Sequence, residues 1–344
     1  MNGLFKKADA VCVVNPSNLF YFSGYHNADA AIVLTSDKKY YISDPRSLEE
    51  ASQLLKGFEI VDCEGGSYLD AAVSIISKRA PETLGYEDQT IIYKDYLTLC
   101  KAPCKFVGIS GAIEELRAVK SPEELKKIKA AQAITDEVFE NVLGMIKEGM
   151  SEKEVASLLN SRIYSKGATL AFDTIVAFGE NTSKPHAHPS DRKLKKGDPV
   201  TIDFGAKCEG YCSDMTRSFS FGKPPEDYER IYNIVLEAQL NALSKLYAGI
   251  SGSDGCELAK EVFRRYGLEE YFTHSLGHSL GIDIHESPRL SAKYHSPIPK
   301  GAVMSVEPGL YFPSKFGVRI EDIAVFENNG LDILTNSPKK LIII

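Results

Sequence analysis

Two stretches of this sequence carry the same plan, and together they restrict the fold more than any other feature. Residues 200–221 read VTIDFGAKCEGYCSDMTRSFSF. Val200, Ile202 and Phe204 alternate with Thr201, Asp203 and Gly205, which is the period of a strand, and alternation resumes from Tyr211 to Phe219. With a turn over 206–210, symmetric pairing sets Asp203 opposite Asp214. Residues 303–312 (VMSVEPGLYF) and 317–326 (GVRIEDIAVF) flank a second turn at 313–316, and symmetric pairing sets Glu307 opposite Glu321. Pro308 weakens the first of these strands, because proline cannot donate to a ladder. Like charges facing each other across a ladder repel. Each pair therefore needs a positive partner, either a metal ion or a basic side chain, and the rest of the sequence favours metal. Any one of the four carboxylates alone would read as a solvated surface residue. Four of them in two matching hairpins do not.

The chain has 344 residues, too long for one ordinary core and suited to two domains. Residues 1–112 alternate strands (VCVVNP, AAIVLTS, KYYISD, FEIVDCE, TLGYED, KFVGI) with helical stretches (LEEASQLLKG, SYLDAAVSIISKRA), an α/β pattern. This part lacks GxGxxG, the phosphate-cradling GxxxxGK[ST] and any acidic–histidine constellation, so the chemistry is expected in residues 113–344. There Ser121-Pro122-Glu123-Glu124 starts a long helix and Ser151-Glu152-Lys153-Glu154 a second, each a capping box. A strand near 174–178, a loop with His186 and His188, and the first hairpin follow. The order then repeats: helices at 228–246 and 253–266, a histidine-bearing segment at 274–285, and the second hairpin.

A net charge of -7 and a pI near 5.6 offer no electrostatic invitation to nucleic acid or an anionic membrane. The lysines at 120–129 are interleaved with glutamates and read as a solvated helix face. No apolar run approaches the ~20 residues that span a bilayer, and the N-terminus lacks a signal-peptide core. Seven cysteines, an odd set without the tiling of a disulfide framework, point to a reducing, cytoplasmic home. Cys100 and Cys104 lack the second pair a structural zinc site needs.

Four carboxylates with a histidine make a hard, oxygen-rich donor set that admits manganese, cobalt, iron or zinc. Four are too many for one catalytic ion with an open position and suit two ions sharing bridging carboxylates, an arrangement that hydrolyses amides and phosphates. The residues leave the histidine open: His274, His278 and His285 lie close together, and His186 and His188 precede the first hairpin.

The segments LGHSLGIDIHESPR, VTIDFGAKCEGYCSDMTRSFSFG, MSVEPGLY and FGVRIED resemble, in the same order, the motifs of the pita-bread metallopeptidases (family M24), in particular Xaa-Pro dipeptidases (prolidases) and aminopeptidase P. The resemblance covers about residues 120–340; the N-terminal part resembles the creatinase-type domain of the same enzymes. It implies an α/β creatinase-like domain followed by an α+β pita-bread catalytic domain with a pseudo-twofold repeat. Asp203, Asp214, His278, Glu307 and Glu321 match the metal ligands, with Asp214 and Glu321 bridging two divalent ions and Glu307 also acting as proton shuttle. Manganese is the first choice, with cobalt, zinc and iron as alternatives. His186 and His285 match histidines that bind substrate and assist catalysis, and Arg289 an arginine that dipeptidases use on the substrate carboxylate.

The implied activity is hydrolysis of Xaa-Pro bonds by a hydroxide between two metal ions, in a homodimer. The alternatives are an Xaa-Pro aminopeptidase acting on longer peptides and a non-catalytic pita-bread binding protein. The full ligand set argues against the latter and against a metal-free creatinase-like amidinohydrolase. A methionine aminopeptidase normally lacks so large an N-terminal domain. Arg289 and the modest length favour the dipeptidase. Ser279 departs from the family's usual glycine after the ligand histidine. Glu286 is expected to support His285, and His188 to be a surface loop residue.

Overall fold

In the computed structural model, which describes residues 3–344, the chain divides after Arg117 into two units. The first contains β1 (Ala10–Val13), α1 (Pro16–Ser23), β2 (Ala30–Thr35), β3 (Lys39–Ser43), α2 (Pro45–Leu54), β4 (Glu59–Asp62), α3 (Tyr68–Arg79), β5 (Thr83–Tyr86), α4 (Tyr93–Leu99), β6 (Lys105–Gly108) and α5 (Ala112–Ala118). The strands form one mixed sheet in the order β4-β3-β2-β1-β5-β6. Both faces are covered, which is why β1 and β2 read as unbroken apolar runs. Val11 and Val13 pack with Leu19 and Ile113 on one face; Ala10 and Cys12 pack with Leu69 and Ile76 on the other. The division falls beyond the expected 112/113 boundary because α5 stays with this unit. Ile113 lies in its core, and Arg117 donates to the buried Asn18 of α1.

The second unit opens with α6 (Pro122–Leu143) and α7 (Glu152–Ser165), whose N-caps Ser121 and Ser151 both form the expected capping boxes. There follow β7 (Thr169–Leu170), β8 (Ile175–Phe178), β9 (Asp198–Phe204), β10 (Ala206–Cys208), β11 (Tyr211–Cys212) and β12 (Met215–Phe221). The helix pair recurs as α8 (Tyr228–Lys245) and α9 (Gly252–Arg265), followed by β13 (Gly277–Ser279), β14 (Glu286–Leu290), β15 (Val303–Val306), β16 (Gly309–Phe312), β17 (Phe316–Arg319), β18 (Asp322–Glu327) and β19 (Gly330–Ile333). Each half has its own core, with Phe139, Leu159, Ile202 and Phe219 in the first and Val235, Phe263, Met304 and Phe326 in the second. The halves meet where Glu321 N donates to Thr216 O and Arg319 N to Ser218 Oγ. No helix is long and apolar enough to cross a membrane among the described residues.

The hairpins hold one correction. Asp203 pairs with Thr216, not Asp214. Residues 206–208 are a strand rather than part of the turn, and the turn is the two-residue loop Glu209-Gly210, with φ of 47° and 83°. Positive φ at both positions is what a type I′ hairpin turn requires. The register therefore slips by two residues. Side chains alternate with a period of two, so Asp214 still shares a face with Asp203. In the second hairpin the ladder breaks at Pro308 but keeps register on both sides, Val306 with Asp322 and Gly309 with Arg319. Glu307 and Glu321 lie in the gap, opposite each other as expected.

Candidate metal centre

All eight residues singled out from the sequence line one cavity of about 330 Å3: Asp203, Asp214, His278, Glu307, Glu321, His186, His285 and Arg289. Each ligand candidate stands at the end of a strand or beside one. Asp203 is on β9, Asp214 just before β12, His278 on β13, Glu307 just after β15 and Glu321 just before β18. Asp214, His278 and Glu321 are buried, and one potential ligand atom of each lies within 4.8 Å of the others. His278 Nε2 is 3.6 Å from Asp214 Oδ2 and 3.4 Å from Glu307 Oε1. Its Nδ1 lies 3.1 Å from Ser279 O, which assigns the ring proton to Nδ1 and leaves the Nε2 lone pair toward the carboxylates.

The electrostatics fit a cation. Burial, and then repulsion from Glu321, Asp203 and Glu307, pushes the Asp214 carboxyl well above its ordinary range. Burial and the charges of Glu307 and Asp203 do the same to Glu321. Glu307 is pushed up to about 7, by burial first and by Asp203, against the opposing pull of Arg319. Burial holds His278 down to about 3, so it stays a neutral donor. Asp203 Oδ1 is buried with no hydrogen-bond partner among the described residues. An orphaned carboxylate oxygen, carboxyls forced toward protonation and a neutral imidazole are what a hard divalent ion would relieve.

Sequence reasoning missed Arg319. It weighed a metal ion against a basic side chain between the acidic pairs, and the structure places a basic side chain there. Buried Arg319 donates from Nη2 to Asp203 Oδ2 at 2.6 Å, from Nη1 to Tyr311 OH at 2.8 Å and from Nε to Thr216 Oγ1 at 2.9 Å. Thr216 Oγ1 donates to Glu321 Oε2 at 2.6 Å, and His274 Nε2 lies 2.9 Å from Tyr311 OH. The spacing held a signal: Arg319 and Thr216 each stand two residues from an acidic candidate, hence on the same strand face.

Glu286 bears on His285 through the chain and not through a contact with the ring. Neighbouring residues of a strand point to opposite faces, and Glu286 is buried where His285 is exposed. Its carboxylate meets Lys120 and the Asp283 N–H instead of the imidazole. His188 is exposed and stands apart from the cavity lining.

A two-domain chain with a carboxylate-rich metal centre between repeated halves defines a metallopeptidase. Residues 126–328 match metallopeptidase family M24 and residues 5–119 the creatinase/prolidase N-terminal domain. The chain belongs to the metallopeptidase family M24. It is 37% identical to the uncharacterized peptidase YqhT of Bacillus subtilis, over 98% of this chain and 96% of that one. Among solved structures, it is similar to an Xaa-Pro dipeptidase from Bacillus anthracis, with a TM-score of 0.96, 35% identity and coverage of 100% and 98% of the two chains. It is also similar to an X-Pro aminopeptidase from Thermotoga maritima, with a TM-score of 0.94, 34% identity and full coverage of both. The pita-bread architecture follows from these matches.

Proposed function

We propose that this metallopeptidase is an Xaa-Pro dipeptidase that works with two divalent ions, manganese first and cobalt, zinc or iron as alternatives, held by Asp203, Asp214, His278, Glu307 and Glu321. Donor counting supports two ions. Four carboxylates lining one cavity are too many for a single catalytic ion that keeps an open position, and they suit two ions that share them. Bound divalent ions supply Lewis-acid activation of water and of the scissile carbonyl.

The chain's own residues supply the rest. The nitrogen of an Xaa-Pro bond carries no hydrogen, so it must gain a proton to leave. The Glu307 carboxylate is the group assigned to carry that proton. Its Oε1 accepts from Ser305 Oγ at 3.1 Å, which fixes its orientation. His186 and His285, both exposed on the cavity wall, support the carbonyl and the substrate. Burial and the neighbouring charge of Arg289 hold the His285 ring below its ordinary pKa, which favours the neutral ring.

The observation that carries the dipeptidase reading is Arg289. It lines the cavity and is exposed, and its guanidinium has no hydrogen bond or ion pair among the described residues. A free guanidinium there can take the carboxylate of a C-terminal proline in a charge-assisted contact. The test compares Ala-Pro with Ala-Pro-Ala on wild type and Arg289→Ala. Ala-Pro should be cleaved well and the tripeptide poorly, and the variant should raise KM for Ala-Pro selectively. An exposed contact of this type is worth about 1.5 kcal/mol, or tenfold in kcat/KM. Equal or better turnover of the tripeptide would move the enzyme to Xaa-Pro aminopeptidase, with the metal chemistry unchanged. A homodimer, proposed from the resemblance, is checked by sedimentation. A reducing, cytoplasmic home is supported by the seven unbridged cysteines.

A further inference from the structure

Behind the cavity wall that carries His278 and His285 lies a buried charge pair to which the chemistry above gives no part. Lys120, the residue before the N-cap of α6, has 1% of its side chain exposed and Glu286 has 6%. Lys120 Nζ donates to Glu286 Oε2 at 3.2 Å and to Ser279 Oγ at 3.1 Å. Each partner directly follows a site histidine in the chain: Ser279 follows His278, and Glu286 follows His285. One ammonium thus ties together the two ends of the loop between those histidines.

The ladder does not do this alone. Between β13 and β14 the register pairs His278 with Arg289 but Ser279 with Glu286, so it slips between His278 and Ser279. Strand pairing cannot set the spacing of two side chains across such a slip. The Lys120 contacts sit on the slip. Ser279 Oγ passes the hold on by donating to Val303 O of β15 at 3.0 Å, and Ser279 O is the acceptor that faces His278 Nδ1. On the other arm, Glu286 Oε1 accepts from Asp283 N at 3.1 Å. Space is kept for the pair, since a Cβ on Gly281 would lie 3.0 Å from the Glu286 carboxylate oxygens and 3.1 Å from Lys120 Cε. Removing two charges from water costs about as much as their attraction returns, so stability alone is a weak reason for this pair.

We propose that Lys120 is a positioning residue that sets the spacing of His278 and His285, through Ser279 on one arm and Glu286 on the other. The two rings meet edge to face with centroids 4.4 Å apart. The proposal rests on the metallopeptidase reading for the tasks of the two histidines: one arm serves the metal side and the other the substrate side.

Two full-length variants test it. Ser279→Ala cuts only the arm to His278. Lys120→Met/Glu286→Met removes both charges of the pair together, so neither is left facing the other's empty place. The readouts are cobalt(II) binding to the chelator-stripped chain by visible absorption, KM and kcat for Ala-Pro at saturating metal, and the thermal midpoint. Outer contacts of this type are worth about 10- to 100-fold in metal affinity or activity. Ser279→Ala should weaken cobalt binding about tenfold and leave KM within twofold of wild type. The double variant should weaken cobalt binding and also raise KM about tenfold, with its thermal midpoint near that of wild type. Cobalt affinity and KM both within twofold of wild type in the double variant would overturn the proposal and leave the pair a structural brace. If the double variant does not fold, Ser279→Ala decides alone, and unchanged cobalt affinity overturns the proposal. If wild type itself leaves Ala-Pro intact, the dipeptidase reading falls, and cobalt binding still tests the positioning.

Discussion

Gly205→Ala should cost this protein its metal centre more than its fold. Gly205 lies where the first hairpin's register continues opposite Asp214. A Cβ there would fall 2.0 Å from Ser213 O, a backbone atom that cannot swing away. Carbon–oxygen contacts between strands settle near 3.3 Å, so the strands must part by roughly 1.3 Å. Strain of this kind costs about 1–3 kcal/mol, which a chain of this size survives. The metal centre is less tolerant, since ligand distances must hold within about 0.2 Å. The displaced strand leads directly into Asp214. Cobalt(II) binding should therefore fall at least about a hundredfold while the circular dichroism spectrum stays native. Gly144→Ala is the control: its Cβ meets nothing within 4 Å and its φ of -74° suits any residue, so it should stay within about 0.5 kcal/mol of wild type. Gly205→Ala with wild-type cobalt affinity and Ala-Pro turnover would refute the claim that this close approach places Asp214.

Arg319→Met leaves the half-buried Asp203 without its ion-pair partner and should lower stability in urea by about 3 kcal/mol, with loss of Ala-Pro turnover; a smaller loss than 1 kcal/mol contradicts the pairing. Elemental analysis should find about two divalent ions per chain. Chelation should lower the thermal midpoint, and ion restored to 100 times its Kd should return about 2.7 kcal/mol; a chelator-insensitive midpoint speaks against a resident metal. In the N-terminal unit, burial raises the Glu87 carboxyl above its ordinary range. A raised folded-state value means that stability is fully present below the unfolded value of about 4.5 and is lost as pH rises through the folded one. Wild type should therefore lose stability relative to Glu87→Gln as pH rises above the unfolded value of about 4.5, read by circular dichroism because the chain has no tryptophan; a flat difference contradicts it.

What the sequence disclosed, and what it withheld, follows from the range of each interaction. Capping is local, so Ser121 and Ser151 announced α6 and α7 correctly. The Asn15 cap and Pro16 announce α1 in the same way, but its eight residues follow β1 so closely that the strand pattern hides them. α4 has no side-chain cap, and Ile92 and Tyr93 at its start are exposed, so it has little local signature. The acidic pairs were legible because side-chain direction has a period of two. A register error of two in the first hairpin left Asp203 and Asp214 on one face, whereas an error of one would have separated them. Arg319 and Lys120 were not legible, because their partners lie far away in sequence. Lys120 was grouped with a solvated lysine face at 120–129. Lys126 and Lys129 are indeed exposed, but Lys120 precedes the N-cap, where helical periodicity no longer says which way a side chain points. Its burial is decided by Ser279 and Glu286, more than a hundred and fifty residues later. The group with the least periodic context is therefore the one whose position most depends on the tertiary fold, and its substitution is the sharper test of how the two histidines come to face one cavity.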